Sequence, residues 1–187
     1  MKTITHYSIL NTTSLGNLLL TADENHLTGI YFEDCDHVPA SRSQWRINPE
    51  HEVLVQASTQ LEEYFKGTRA RFSIPLRSAG TDFQERIWQE IALIPFGQTI
   101  TYSDLADWVG APDAIRAAGA ATGRNPISIV VPCHRVVGKN GSLTGYAGGL
   151  KRKRHLLALE QRHIVLTAMS AGAQFALPQS NRVSNPE

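Results

Sequence analysis

Cys133 and His134 stand side by side in the run Val131-Pro132-Cys133-His134-Arg135-Val136-Val137. A thiolate is a soft, strong nucleophile, but a free thiol with a pKa of about 8.5 is mostly protonated at neutral pH. A neighbouring base or cation shifts that balance. Arg124-Asn125-Pro126 precedes the run, and a glycine-rich stretch, Gly145-Tyr146-Ala147-Gly148-Gly149, follows it. Cys133 reads as a nucleophile with a base beside it. A metal site is the poorer reading, because adjacent Cys and His seldom ligate one ion, and Cys35 with His37 is no better as a pair.

Other residues acquire chemical meaning from their spacing. Arg116-Ala117-Ala118-Gly119-Ala120-Ala121 places a glycine among small residues where a helix is expected, at a cost in helix stability. Small side chains let a backbone approach another surface closely, either a second helix or a narrow groove of DNA. Asn125, before Pro126, is poorly placed to continue a helix, and its side chain can bond the backbone of the turn leading to Cys133. Glu160, in Leu156-Leu157-Ala158-Leu159-Glu160, is a carboxylate in a leucine-rich helix or an ordinary residue at its end.

The bulk composition sets the class. The chain has 187 residues, 42% hydrophobic and 19% charged, with a net charge of +1. Those values fit a soluble globular protein of one compact domain or two small ones. No apolar run reaches the roughly 18 residues of a membrane span, and no signal peptide is evident. Two cysteines make no disulfide framework, so a reducing cytoplasm is expected. Between Phe96 and His163 nine Lys/Arg face four acids, a local +5 that leaves −4 elsewhere. Such a segment suits phosphate contact or a solvated helix face.

The elements that must position these residues fall into two parts, an α/β (α+β) arrangement. Residues 1–77 predict a small β-sheet with a helix: strands over 3–10, 15–22 and 27–32, a polar loop over 34–48, a helix opened by Pro49 and ended by Gly67, and a strand over 71–76. Residues 77–80 read as a hinge. Residues 81–163 predict a mainly helical part, with helices from 81 or 82 to about 94, over 104–109 capped by Ser103, over 112–123, and over 150–160 with its leucines opposite a basic run. The two short helices around Gly110-Ala111 read as a helix-turn-helix. Residues 164–187 form a tail of weak periodicity, with 178–187 expected to be disordered.

Pro132-Cys133-His134-Arg135, with Asn125-Pro126 before it and Tyr146-x-Gly148-Gly149-Leu150 after it, resembles the active-site signature of O6-alkylguanine-DNA alkyltransferases, also called methylated-DNA–protein-cysteine methyltransferases. The resemblance runs from about Thr81 to Glu160. It implies stoichiometric transfer of an alkyl group from O6-alkylguanine in DNA, and to a lesser degree O4-alkylthymine, to Cys133. It also implies a water-bridged relay from Cys133 through His134 to Glu160, organised by Asn125. Arg116 would fill the space left by a flipped base, on a recognition helix that enters the minor groove through Ala117, Gly119, Ala121 and Arg124. Tyr102 would crowd the phosphate backbone and reach the base. Val136, Tyr146, Ala147 and Gly148 would form the substrate pocket, with backbone N–H groups supporting the leaving base.

No cofactor or metal is implied, and the N-terminal part lacks the zinc-binding Cys/His set of some relatives. A monomer is expected, with cooperativity on DNA left open. Ala147 replaces a serine, and Ser128 a proline, found in some members. Two alternatives remain. A lesion-sensing DNA-binding protein would lack the reactive cysteine, and a cysteine hydrolase would need an oxyanion hole that the sequence does not place.

Overall fold

The computed structural model describes residues 4–12, 14–35 and 37–170, and the expected disorder over 178–187 lies outside them. Three strands, β1 (His6–Thr12), β2 (Gly16–Ala22) and β3 (Leu27–Phe32), form an antiparallel meander. A two-residue strand, β4 (Arg46–Ile47), joins parallel to β1 and gives the order β3-β2-β1-β4. It falls in the stretch expected to be loop, because two residues are too few to show a period. Leu18 to Ala22 of β2 are buried on both faces. Helix α1 (Glu52–Lys66) packs on one face with Leu54, Ala57 and Leu61. On the other, which carries Leu19, Trp45 packs against Tyr7 and Tyr31. Leu54 and Leu61 are wholly buried, each stabilising the fold by about 1.5–3 kcal/mol.

Helix α1 starts after Pro49, not at it, since residues 48–51 first make a turn closed by the His51 N–H on the Asn48 carbonyl. Its end is as expected. Gly67 sits at φ 78°, its N–H bonds the Tyr64 carbonyl and Thr68 N–H bonds that of Glu63, a Schellman cap. The strand expected over 71–76 does not form. Only Leu76 bridges to Leu27, with the Leu27 N–H on the Pro75 carbonyl and the Arg77 N–H on that of Leu27. Pro75 has no N–H with which to extend the ladder.

The helical part begins with α2 (Asp82–Ala92), whose Thr81 and Gln84 satisfy each other in a capping box. Ile87, Trp88 and Ile91 face inward, and the Trp88 indole donates to the Ala121 carbonyl at 2.9 Å. Strand β5 (Ile100–Thr101) leads directly into α3 (Tyr102–Trp108). This helix starts two residues earlier than expected because Thr101, not Ser103, is the cap, paired reciprocally with Asp104. A single 3-10 turn (Pro112–Ala114) precedes α4 (Ile115–Gly123) and completes the helix-turn-helix. Another 3-10 turn, Cys133–Arg135, runs into β6 (Val136–Val137), which pairs parallel with β5.

Helix α5 (Leu150–Ser170) continues well past Glu160. Its extra turns carry a weak apolar period, yet His163 packs on Gly67 and Ile164 on Gly97. The segment between α4 and Cys133 also joins the two parts: Ile30 of β3 donates to the Pro126 carbonyl at 2.8 Å and accepts from Ser128 N–H. The edge of β3 is thereby covered by the active-site loop.

Candidate active site

Cys133 opens its 3-10 turn and is 2% exposed. Asn125 is buried beside it and spans the loop. Its Nδ2 donates to the Val131 carbonyl at 2.8 Å and to Cys133 Sγ at 3.2 Å, while its Oδ1 accepts from Ile127 N–H at 3.0 Å. The same loop holds buried Ile129 at φ 74°, a left-handed conformation that costs energy for a β-branched residue and persists because packing fixes it. Burial pushes the Cys133 thiol up, while the Asn125 amide, the Lys153 charge and the N–H groups of Cys133 and His134 pull it partly back. The resting nucleophile is a neutral thiol already facing donors that favour the thiolate.

His134 is wholly buried and directs Nε2 at Glu160 Oε1, 2.8 Å away. Since Glu160 is ionised, Nε2 carries the proton and Nδ1 keeps its lone pair; Nδ1 has no hydrogen-bond partner among the described residues. Burial lowers the imidazole pKa, which the Glu160 contact only partly offsets. The carboxylate is held low. Burial alone would raise its pKa, but the His134 and Arg135 contacts outweigh that. Arg135 reaches it through Nε at 3.0 Å and Nη2 at 2.9 Å, Tyr64 Oη donates at 2.7 Å, and Gly97 N–H at 2.8 Å. With Arg135 as counter-charge, Glu160 stays ionised while His134 stays neutral. Glu160 is therefore a buried anion and not a helix-end surface residue.

Lys153 was not singled out from the sequence. It is wholly buried, and its Nζ donates to the carbonyls of Val136 at 2.6 Å and Thr144 at 2.7 Å. Burial brings its pKa down to about 8, against the pull of Cys133. The basic run is thus not a uniform outer face: Lys151 and Arg154 are exposed, whereas Lys153 lies on the face that carries Leu156 and Glu160. That i, i+3, i+7 spacing was the available signal. Arg135 lay inside the motif. Tyr64 and Gly97, by contrast, are brought to Glu160 by folding alone.

Tyr102, the first residue of α3, donates to the Thr144 carbonyl at 3.2 Å and lies under the Lys153 ammonium. Val136 is buried, and its carbonyl accepts from the Lys153 ammonium, which leaves that oxygen one further lone pair. Tyr146 is wedged edge-on between Phe32 and His134. Ala147 is half-buried. Gly148 is buried, and a Cβ there would overlap the Phe32 and Tyr146 rings, so its missing side chain serves protein packing.

On α4, Arg116, Ala117 and Ala120 are exposed, with Arg124 just beyond the helix, and Gly119 is half-buried. Ala121 departs from the expected face: it is 3% exposed and turned toward the core, its carbonyl taken by Trp88. A Cβ on Gly119 would meet only the Tyr102 ring, at 3.7 Å, an ordinary contact. Protein packing does not require that glycine.

Comparison with known proteins identifies the family to which both parts of the chain belong. Residues 5–78 match the ribonuclease-like domain of 6-O-methylguanine DNA methyltransferase, and residues 82–162 match its DNA binding domain. The methylated-DNA–protein-cysteine methyltransferase of Mycobacterium leprae is 46% identical over 156 residues, 83% of this chain and 92% of that protein. The constitutive enzyme of Bacillus subtilis is 43% identical over 153 residues, 80% of this chain and 92% of that protein. A crystal structure of Mycobacterium tuberculosis OGT in complex with DNA superposes with a TM-score of 0.78 at 42% identity, covering 84% of this chain and 94% of that one. With both halves matched and the buried cysteine site in place, the chain belongs to the 6-O-methylguanine DNA methyltransferase family.

Proposed function

We propose that this protein repairs DNA by moving an alkyl group from O6 of alkylguanine to Cys133 Sγ, once per molecule. The observation that carries the reading is the buried thiol held by Asn125 next to a neutral His134 whose far nitrogen is tied to Glu160. A sensor of damage would not need that apparatus, and a hydrolase would leave the exposed face of α4 without a task. DNA binds as duplex, through the minor groove, with Ala117, Ala120 and Gly119 letting the helix approach closely. Arg116 takes the place of the extruded base, which enters beside Tyr102. The protein acts as a monomer.

In the transfer, the Cys133 proton passes through a bridging water to His134 Nδ1, and Glu160 stabilises the imidazolium that results. Sulfur bonds to the alkyl carbon as the carbon–O6 bond breaks, and the bonding pair leaves with the base. Donors from Tyr102 and the N–H groups of Ala147 and Gly148 meet that charge. The product is a thioether, which nothing in the site can reverse.

Intact-protein mass spectrometry with a duplex carrying one O6-methylguanine tests this. One added methylene mapped to Cys133, saturating at one per protein, is the expected result. Lesion binding without an adduct would favour the sensor instead.

A further inference from the structure

We propose that Arg152 and Asp34 brace the loop 145–149 against the N-terminal sheet, and that this brace limits the size of alkyl group the pocket accepts. Arg152 leaves the basic run to bind protein. Its Nη2 meets Asp34 Oδ2 at 2.9 Å, its Nε donates to the Leu15 carbonyl at 2.7 Å, and its Nη1 donates to the Gly148 carbonyl at 3.2 Å. The guanidinium carbon also lies 4.5 Å from the centre of the Phe32 ring. All three nitrogens are engaged, so this arginine is occupied where a phosphate-binding one would be open.

The contacts converge on one short loop. Gly148 lies so near Phe32 that a Cβ would overlap the ring, and Tyr146 packs edge-on to the same ring at 6.1 Å. Phe32 ends β3 and Leu15 lies in the turn before β2, so the sheet, which holds none of the reacting groups, acts as a platform for the loop. A pocket discriminates alkyl groups by size only as well as its walls resist displacement, since each extra methylene in a rigid site is worth about 10–200-fold. Releasing the brace lets the loop yield to a larger group.

This inference rests on Tyr146, Ala147 and Gly148 lining the substrate pocket. The test compares second-order transfer rates on duplexes carrying O6-benzylguanine or O6-methylguanine, taken as a ratio within each preparation so that the active fraction cancels. Arg152→Met should raise the benzyl-to-methyl ratio about tenfold, and Asp34→Ala about threefold. Asp34 is largely exposed, so its variant keeps the test independent of any folding defect in the first. Ratios within twofold of wild type, or lower, in both variants overturn the brace. Ala147→Val tests the underlying pocket, where it should lower the ratio. An unchanged ratio there overturns the pocket assignment and the inference with it, whereas a lowered ratio with unaltered brace variants overturns the brace alone.

Discussion

Arg135 and Arg116 are 19 residues apart and serve opposite ends of the reaction. Arg135 is 6% exposed, with its guanidinium spent on Glu160 and the Ile94 carbonyl. Arg116 is exposed on α4, and its guanidinium has no hydrogen bond or ion pair to another described residue. Around the first, charges are buried, paired and fixed before any substrate arrives. Around the second, an exposed helix face of small residues flanks a cation that has no partner among the described residues. A buried ion network stabilises only when every member is satisfied, and so it is completed within the protein. A DNA-binding face must instead remain incomplete until phosphates and bases supply its partners.

The contrast can be broken most directly at the nucleophile. Cys133→Ser should lower the transfer rate by at least about a thousandfold while changing affinity for a lesion duplex less than about twofold. A serine variant that still becomes alkylated at the normal rate would remove Cys133 from its role. Glu160→Gln should slow transfer about a hundredfold on free O6-benzylguanine and duplex alike, because the relay lies upstream of DNA contact. It also strands the Arg135 charge, at a cost of about 3–5 kcal/mol in stability, readable by denaturant melts.

The pH profile sharpens the same point. His134 is depressed by burial, so its basic form persists below the ordinary imidazole value of about 6.5. The wild-type rate should stay level as pH falls from about 8 to that value and drop only beneath it. A midpoint at or above it would contradict a buried neutral base.

Arg116→Ala should reduce the rate on duplex about tenfold and leave free O6-benzylguanine within about twofold. Equal losses on both would erase the distinction between the two arginines. The smallest effect belongs to Gly119→Ala, which should stabilise α4 by about 0.5–1 kcal/mol in thermal melts and weaken duplex binding a few-fold. Tighter binding would show that the glycine does not serve close approach.

How far the sequence could be read follows from the range of the forces involved. The three long strands, the Gly67 cap and the helix-turn-helix were legible because alternation, a left-handed cap and paired short helices act over a few residues. The start of α3 was misplaced because competing caps, Ser103 against Thr101, are settled by which side chain closes the reciprocal bond, and that of α1 because residues 48–51 first make a turn. Strand β4 and the β5–β6 pair are two residues each and owe their existence to partners elsewhere in the chain. The resemblance put Ala121 on the DNA-facing side of α4, whereas the phase of the helix turns it inward with Ala118 and Thr122.

By itself the sequence determined which atoms can react: a thiol beside an imidazole, an asparagine at a helix exit, and a carboxylate on the last helix. Those are matters of residue identity and local spacing. Only the tertiary structure decided their protonation, because burial and the donors around Glu160 come from Tyr64, Gly97 and Arg135, three separate parts of the chain. It likewise decided that Lys153 and Arg152, read as part of a basic surface, turn inward to fix the active-site strand and the loop that follows. A desolvation penalty and a hydrogen bond between distant residues exist only once the chain has closed on itself.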